Sequence, residues 1–412
     1  MQNPIAHETG QIMPTLAKRA TEIKPSPTMA MSALAAEMKR AGRDVIPLSL
    51  GEPDFHTPQH IKDAGIEAIR SDFTKYTAAD GFAPLKKAII AKFARENGST
   101  YTADQIVVGS GAKVIIYAAM LSVVNPGDEV VIPAPYWVTY PDHVELAGGK
   151  PVFVVGEEST GFKITPQSLS SVLNAKTRAI IFNSPSNPSG AIYTEDEIRA
   201  LADVLKKYPD VWIVTDELYE HLAYDGEKTA TFAQIIPEFS DRIITINGFS
   251  KGYVMTGWRL GFAAGPKKVM KAIGDLLSQL TGSPSSIAQA AAIAALDGDQ
   301  SFLSANREVF EARRNFVVER LNKVPGLSAL KPAGTFYVYI NCRDWIGRTS
   351  GAGKKLSTDV AIAEALLDES EMAAVPGEVF GLSPFFRISI SLEMALLEKA
   401  MDRFDAFAKA MR

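Results

Sequence analysis

Ile243-Ile244-Thr245-Ile246-Asn247-Gly248-Phe249-Ser250-Lys251-Gly252-Tyr253-Val254-Met255-Thr256-Gly257-Trp258-Arg259-Leu260-Gly261 passes from a β-branched run into a loop punctuated by glycine. The run predicts a buried strand at 242–246, and a second apolar stretch predicts another at 260–264. Moving outward, the same unit recurs. Short β-branched segments at 105–108, 129–132, 151–155, 178–182 and 211–215 alternate with helix-like stretches at 83–96, 113–123, 194–207 and 267–280. Strand and helix in turn predict an α/β fold, a mostly parallel sheet covered by helices. The stretch 113–123 is apolar almost all round, which predicts a buried helix.

Beyond about residue 306 the pattern changes. A long charged helix at 304–321, strands at 334–340 and 386–391 and a closing helix from Leu392 predict a smaller α+β unit. Residues 13–50 lack the βα alternation and are expected to join it. The expected division is a large domain at 55–305, with 1–54 and 306–412 forming the second. Residues 347–357, rich in Gly, Ser and Lys, predict a loop.

The chain has 412 residues, of which 47 are acidic and 43 basic. That balance gives no general pull toward nucleic acid or an anionic membrane, so small-molecule partners are expected. The single cysteine, Cys342, cannot form an internal disulfide, and Met1-Gln2-Asn3-Pro4 has no basic segment leading into an apolar one. The expectation is a reduced, cytoplasmic protein. The apolar segments are too short to span a bilayer, and the five histidines show no ligand spacing, so no metal is expected.

Open parallel sheets bind ligands at the carboxyl ends of their strands. Four predicted strands end there on polar residues. The first leads into Gly109-Ser110-Gly111-Ala112-Lys113 and a helix, whose free N–H groups suit a phosphate. Others lead into Asn183-Ser184-Pro185-Ser186-Asn187-Pro188, into Asp216-Glu217-Leu218-Tyr219, and into the Lys251 loop. Arg259 follows Lys251 by eight residues. An amine that can hold an aldehyde as an imine, with a guanidinium to grip a phosphate, points to pyridoxal 5'-phosphate.

Each piece alone has an ordinary explanation. Gly109-Ser110-Gly111 opens like a dinucleotide fingerprint, but Val114 stands where the third glycine belongs. Gly351-Ala352-Gly353-Lys354-Lys355 lacks the hydroxyl and the preceding strand of a phosphate loop. Asn-Pro is commonly a turn, and Asp-Glu after a strand is commonly a helix cap. The convergence of all four strand ends carries the argument.

Together these residues resemble the class I/II aminotransferases, which are fold-type I pyridoxal-phosphate enzymes. The family's lysine-attachment signature is matched throughout 248–261. The resemblance extends from Ser49-Leu50-Gly51-Glu52-Pro53-Asp54-Phe55 through Lys75-Tyr76, Pro135-Tyr136-Trp137, 183–190 and 216–219 to Phe386-Arg387-Ile388-Ser389. It is nearest the bacterial and plant-plastid aspartate aminotransferase branch, some of whose members also aminate prephenate. The resemblance implies these roles. Lys251 holds the aldehyde and shuttles the proton, and Asp216 pairs with the ring nitrogen. Tyr219 and Asn187 bond the ring's phenolate oxygen, and Trp137 stacks on its face. The amides of Gly111 and Ala112, with Arg259, hold the phosphate, which Tyr76 reaches from the other subunit of a homodimer. Arg387, with Asn187 and the Gly51 backbone, clamps the substrate α-carboxylate. The bonds before Pro188 and Pro135 match positions that tend to be cis. One departure is Gly248, where many relatives carry a phosphate-binding serine. Two alternatives follow: Ser250 compensates, or the site has one hydroxyl fewer.

The implied reaction is ping-pong transfer from an L-amino acid to a 2-oxo acid, with dicarboxylic substrates favoured. Lys113 matches a lysine that reads a second carboxylate in this branch, and Thr28 matches a position associated with prephenate use. Lys113 has the alternative of an exposed helix-start lysine. An aromatic or prephenate aminotransferase and a carbon-sulfur β-lyase are the alternative functions. A regulator with an aminotransferase-like domain is disfavoured, because no basic helix-turn-helix precedes Gly51.

Overall fold

The computed structural model describes residues 14–23, 25–229 and 231–412. The Met1-Gln2-Asn3-Pro4 reading lies outside them. The strands are β1 (Ile106–Gly109), β2 (Glu129–Ala134), β3 (Lys150–Val155), β4 (Thr177–Asn183), β5 (Trp212–Asp216), β6 (Ile243–Gly248), β7 (Gly261–Ala264), β8 (Ser328–Ala329), β9 (Tyr337–Asn341), β10 (Val375–Pro376) and β11 (Phe385–Ser389). The first seven form one sheet in the order β1-β7-β6-β5-β4-β2-β3. Pairing is parallel from β6 through β5, β4 and β2 to β3, whereas β7 runs antiparallel to both β1 and β6.

Side chains alternate between the sheet faces, and each face has its own core. Val130, Ile132, Ala179, Ile181 and Val214 pack with Ile115, Ala119, Ile273 and Leu277 of the helices Ala112–Val123 and Lys267–Leu280. Val131, Ile180, Phe182 and Ile213 pack instead with Leu169, Ile198 and Leu201 of Pro166–Val172 and Glu195–Leu205. Burial of both faces explains why these strands read as continuous apolar runs. The helix Ala112–Val123 is buried as its composition predicts, with Ile115, Ile116, Ala118, Ala119 and Met120 inside.

The remaining strands form an antiparallel sheet, β10-β11-β9-β8. Phe336, Trp345, Phe386 and Phe404 fill its core together with Ile46 and Leu48. The segment before Gly51 therefore does join this second layer: Ile46 bridges to Met372, and Ser389 N–H donates to the Leu48 carbonyl at 2.7 Å.

The reversed strand β7 positions the site. A strand that runs against its neighbours begins where they end. The connection from β6 therefore crosses directly to the start of β7 and keeps both Lys251 and Arg259 at the carboxyl edge. At that edge Gly109, Gly261 and Gly248 lie opposite one another across β1, β7 and β6. A Cβ on Gly261 would stand 2.5 Å from the Ala112 nitrogen, and one on Gly248 would stand 3.1 Å from the Gly261 Cα. The glycines let the helix that starts at Ala112 approach the sheet end, which also accounts for glycine rather than serine at 248.

Gly261→Ala is expected to destabilise the fold by about 1–3 kcal/mol, because the contacted atom is backbone and cannot swing away. Gly257→Ala, with nothing within 4 Å of its built Cβ, serves as control. Denaturant midpoints check this, and equal midpoints for the two variants would refute the crowding argument.

Candidate active site

Every carboxyl end singled out in the sequence opens on one cavity of about 460 Å³. Its wall includes Ala112 and Lys113 after β1, Asn183 and Asn187 after β4, Asp216, Leu218 and Tyr219 after β5, and Ser250, Lys251 and Arg259 after β6. Trp137 enters from the loop after β2, Arg387 from β11, and Gly51 and Glu52 from the N-terminal segment. Thr28 also lines the cavity.

The Lys251 ammonium donates to the Gly51 carbonyl. Burial pushes the amine down to about 8, opposed by the Glu52 carboxylate and aided by Arg387. A neutral amine is thus accessible close to neutrality, as nucleophilic and proton-transfer roles require. Glu52 accepts from Thr256 Oγ1 at 2.9 Å, linking the N-terminal segment to the Lys251 loop.

Asp216 is buried at the end of β5. Burial raises its pKa, and the Tyr140 hydroxyl opposes this by donating to Oδ2 at 2.7 Å, as do the Leu218 N–H at 3.2 Å and the Lys251 charge. Tyr219 OH and Tyr337 OH lie 3.2 Å apart. Arg387 is buried, donating to Asn187 Oδ1 at 2.9 Å and to the Ser49 carbonyl at 3.1 Å, with its guanidinium 4.1 Å from the Tyr337 ring centroid. Its Nε is buried with no protein partner among the described residues. Lys113 Nζ lies 5.0 Å from the Trp137 ring centroid, and burial, then Arg259, lowers its pKa. It stands exposed at the start of the helix Ala112–Val123 and also lines the cavity, so its position fits both readings given above.

Arg259 holds a left-handed backbone (φ 54°) and donates to the Thr256 carbonyl at 3.0 Å. A Cβ on Gly111 would fall 2.6 Å from an Arg259 terminal nitrogen. The Gly111 N–H itself is spent on the Gly109 carbonyl at 2.7 Å. In this structure Gly111 leaves space beside Arg259, and Ala112 opens the helix. Tyr76 stands outside the cavity and is 96% exposed. Both expected cis bonds, before Pro135 and Pro188, are present, with two more before Pro185 and Pro384.

Tyr140 and Tyr337 were not singled out in the sequence. Tyr140 lies three residues after Trp137 in the helix Thr139–Leu146, a spacing that could have placed its hydroxyl beneath the ring. Tyr337 carries no such local sign, because it meets Tyr219 only through the packing of the second sheet against the first.

Residues 43–404 match the aminotransferase class I and II family. The chain belongs to that family and is an aminotransferase. An aspartate/prephenate aminotransferase of Cereibacter sphaeroides is 51% identical over 97% of this chain and 100% of its own length. The crystal structure of an aspartate aminotransferase from Rhizobium meliloti superposes with a TM-score of 0.94 at 45% identity, covering 97% of this chain and all of that one. An aspartate aminotransferase from Thermus thermophilus with maleate gives 0.90 at 37% identity, over 96% and 100%. No helix among the described residues is long and apolar enough to cross a membrane.

Tyr140→Phe removes a hydrogen bond that holds the Asp216 pKa down, so that pKa rises. If amino transfer needs ionised Asp216, activity present above that pKa is lost earlier as pH falls. The acid limb of the pH–rate profile should therefore move to higher pH. An unmoved limb would separate Tyr140 from the function of Asp216.

Proposed function

We propose that this enzyme moves the amino group of a dicarboxylic L-amino acid, aspartate or glutamate, to a 2-oxo acid in a ping-pong cycle with pyridoxal 5'-phosphate as its cofactor. The observation that carries the reading is the convergence of Lys113, Lys251, Arg259 and Arg387 on one cavity that holds Asp216. The residues fit the cofactor. The Gly111 space faces Arg259 beside a helix start, which suits a phosphate. The Lys251 amine, near 8, suits an aldehyde. When bound, pyridoxal phosphate supplies an electron-withdrawing ring that accepts the electrons of the breaking Cα–H bond.

The chain's own residues then have these tasks. Lys251 holds the aldehyde carbon and, once released as a neutral amine, takes the proton from the substrate Cα. Asp216 keeps the ring nitrogen protonated, and its burial strengthens that pairing. Tyr219 and Asn187 hydrogen-bond the phenolate oxygen, and Trp137 covers the ring. Ala112 N–H, Ser250 and Arg259 hold the phosphate. Arg387, already oriented by Asn187 and Ser49 and stacked on Tyr337, offers its fork to the α-carboxylate. Lys113 reads the distal carboxylate, whose charge offsets the neighbouring Arg259. Thr28 in the cavity wall supports a second reading in which prephenate also serves as acceptor.

The division into a large unit at 55–305 and a second unit containing 306–412 is part of the proposal, supported by the separate cores of the two sheets. So is a cytoplasmic homodimer in which Tyr76, exposed on one protomer, completes the site of its partner. Sedimentation is expected to show a dimer, and an active monomer would remove Tyr76 from the site.

With aspartate and 2-oxoglutarate the protein should release oxaloacetate and glutamate, and failure to do so would sink the substrate assignment. Lys113→Ala should lower kcat/KM for aspartate and glutamate by about tenfold to a hundredfold while sparing phenylalanine, the loss of one charged hydrogen bond. Arg387→Ala should depress every donor, because all share the α-carboxylate. Equal losses for charged and uncharged donors in Lys113→Ala would instead assign that lysine to the cofactor phosphate.

A further inference from the structure

Behind the cavity lies a buried charged cluster to which the mechanism above gives no task. Lys92, fully buried in the second half of the helix Ala83–Asn97, places Nζ 2.5 Å from Glu220 Oε1 and 2.8 Å from Asn97 Oδ1. Asn97 Nδ2 donates to Glu220 Oε2 at 3.2 Å. Asn247 Nδ2 donates to Glu220 Oε1 at 2.7 Å, and its own Oδ1 accepts from the Gly248 N–H at 2.7 Å. Glu96 and His221 complete the cluster, with His221 Nε2 3.0 Å from Glu96 Oε2 and 3.9 Å from Glu220 Oε1. Arg95 meets Glu96 from the outside at 2.6 Å, and Glu217 lies buried on the same turn as Glu220. Ligand atoms of Glu96, Glu220 and His221 come within 4.8 Å of one another, as in a metal site. The Lys92 ammonium, 3.6 Å from Glu96 as well, already supplies the positive charge there.

Burying a charge pair costs desolvation that a well-packed apolar pair avoids, so this cluster is poorly explained as a source of stability alone. Its geometry offers another explanation. Glu220 lies four residues after Asp216 and next to Tyr219, and Asn247 lies four residues before Lys251. The Asn247–Glu220 hydrogen bond is therefore a cross-tie between the two turns whose front faces carry Asp216 with Tyr219 and Lys251 with Ser250. Asn97 holds the other oxygen of Glu220, so the tie has an anchor on the neighbouring helix that does not depend on the Lys92 charge.

We propose that Asn247 and the side chain at 220 that accepts its hydrogen bond are positioning residues that set the separation of Asp216 and Lys251, the groups acting at opposite ends of the cofactor ring. The proposal rests on the reading of those two residues given above. It adds that their spacing is governed from behind the sheet edge by a polar tie, and not by packing in the cavity. A misplaced amine lowers the rate of proton transfer without weakening the Arg387 clamp, so the effect falls on kcat and not on KM.

The test compares holoenzymes carrying Asn247→Ala, Asn247→Ser and the double substitution Lys92→Met/Glu220→Gln. Measured are the melting temperature, kcat per cofactor-loaded site, KM for aspartate, and the pH midpoint of the visible absorbance of cofactor held by Lys251. Asn247→Ala should lower kcat about tenfold or more, with KM within about threefold, and should shift the midpoint. Asn247→Ser, too short to reach Glu220, should behave alike and serves if the alanine variant does not fold. The double substitution removes both charges but leaves an acceptor for Asn247, so it should retain kcat and the midpoint. A folded Asn247 variant with the parent's kcat and midpoint overturns the proposal, as does one that changes melting temperature alone. Loss of kcat in the double substitution equal to that in Asn247→Ala also overturns it, because the charge pair and not the tie would then be responsible. Turnover of the parent protein tests the functional reading separately.

Discussion

Four cationic side chains, Lys113, Lys251, Arg259 and Arg387, share one cavity with only two carboxylates, Glu52 and Asp216. This happens in a chain whose formal charge is −4. Burial first lowers the pKa values of Lys113 and Lys251; repulsion from Arg259 adds to it at Lys113, and repulsion from Arg387 and Arg259 adds to it at Lys251 against the pull of Glu52 and Asp216. The arrangement is relieved by a ligand that brings negative charge at several separated points. The phosphate proposed at Arg259, the α-carboxylate proposed at Arg387 and the second carboxylate proposed at Lys113 would be such points. Much of the rest of the molecule can be understood as the means of holding these cations apart in fixed positions.

The sheet supplies that means. Parallel strands deliver loops to one edge, and the reversal of β7 adds the start of a further strand to the same edge. The loop between β6 and β7 consequently carries both an amine and a guanidinium within one short connection. Arg387 comes from a different sheet, yet it donates to Asn187 in the loop after β4, so the clamp proposed for the α-carboxylate spans the two sheets. The Tyr219–Tyr337 hydroxyl contact spans them again. Movement of one sheet against the other would change the carboxylate clamp and the environment of Tyr219 together.

What the sequence disclosed follows the range of the interactions. The strands and helices expected from local periodicity are present with shifted ends, as Ile106–Gly109 is against 105–108, whereas the helices Pro27–Arg40, Gln59–Arg70, Ser286–Asp297 and Asp359–Ser370 were not among them. Residues that face the cavity from strand ends were legible, because the position of a strand end is itself local information. The direction of β7 was not, since nothing within 260–264 distinguishes a reversed strand from a parallel one. Tyr140 reaches Asp216 across 76 positions, and Tyr337 reaches Tyr219 across 118. The Lys92–Glu220 pair joins a helix to a distant turn, and the periodicity of 83–96 shows only that Lys92 interrupts an apolar face. The Gly111 amide shows a finer effect: a free helix-start N–H is expected from sequence, but a tight turn over Ser110 brings it onto the Gly109 carbonyl.

Backbone conformation in the loop that carries Lys251 points to the same constraint. Val254 and Arg259 both hold φ near +55°, a region that costs a non-glycine residue about 1–3 kcal/mol. Glycine at 259 would relieve that cost there but would remove the guanidinium. Arg259 has to offer its guanidinium over the Gly111 space, and the Val254 carbonyl accepts from Thr57 Oγ1 at 2.6 Å, fastening the loop to the N-terminal segment. A relaxed loop would let Lys251 and Arg259 drift apart under their mutual repulsion. The strain, the glycine row at the sheet edge and the buried tie at Asn247 act on the same short connection, each opposing that drift from a different side.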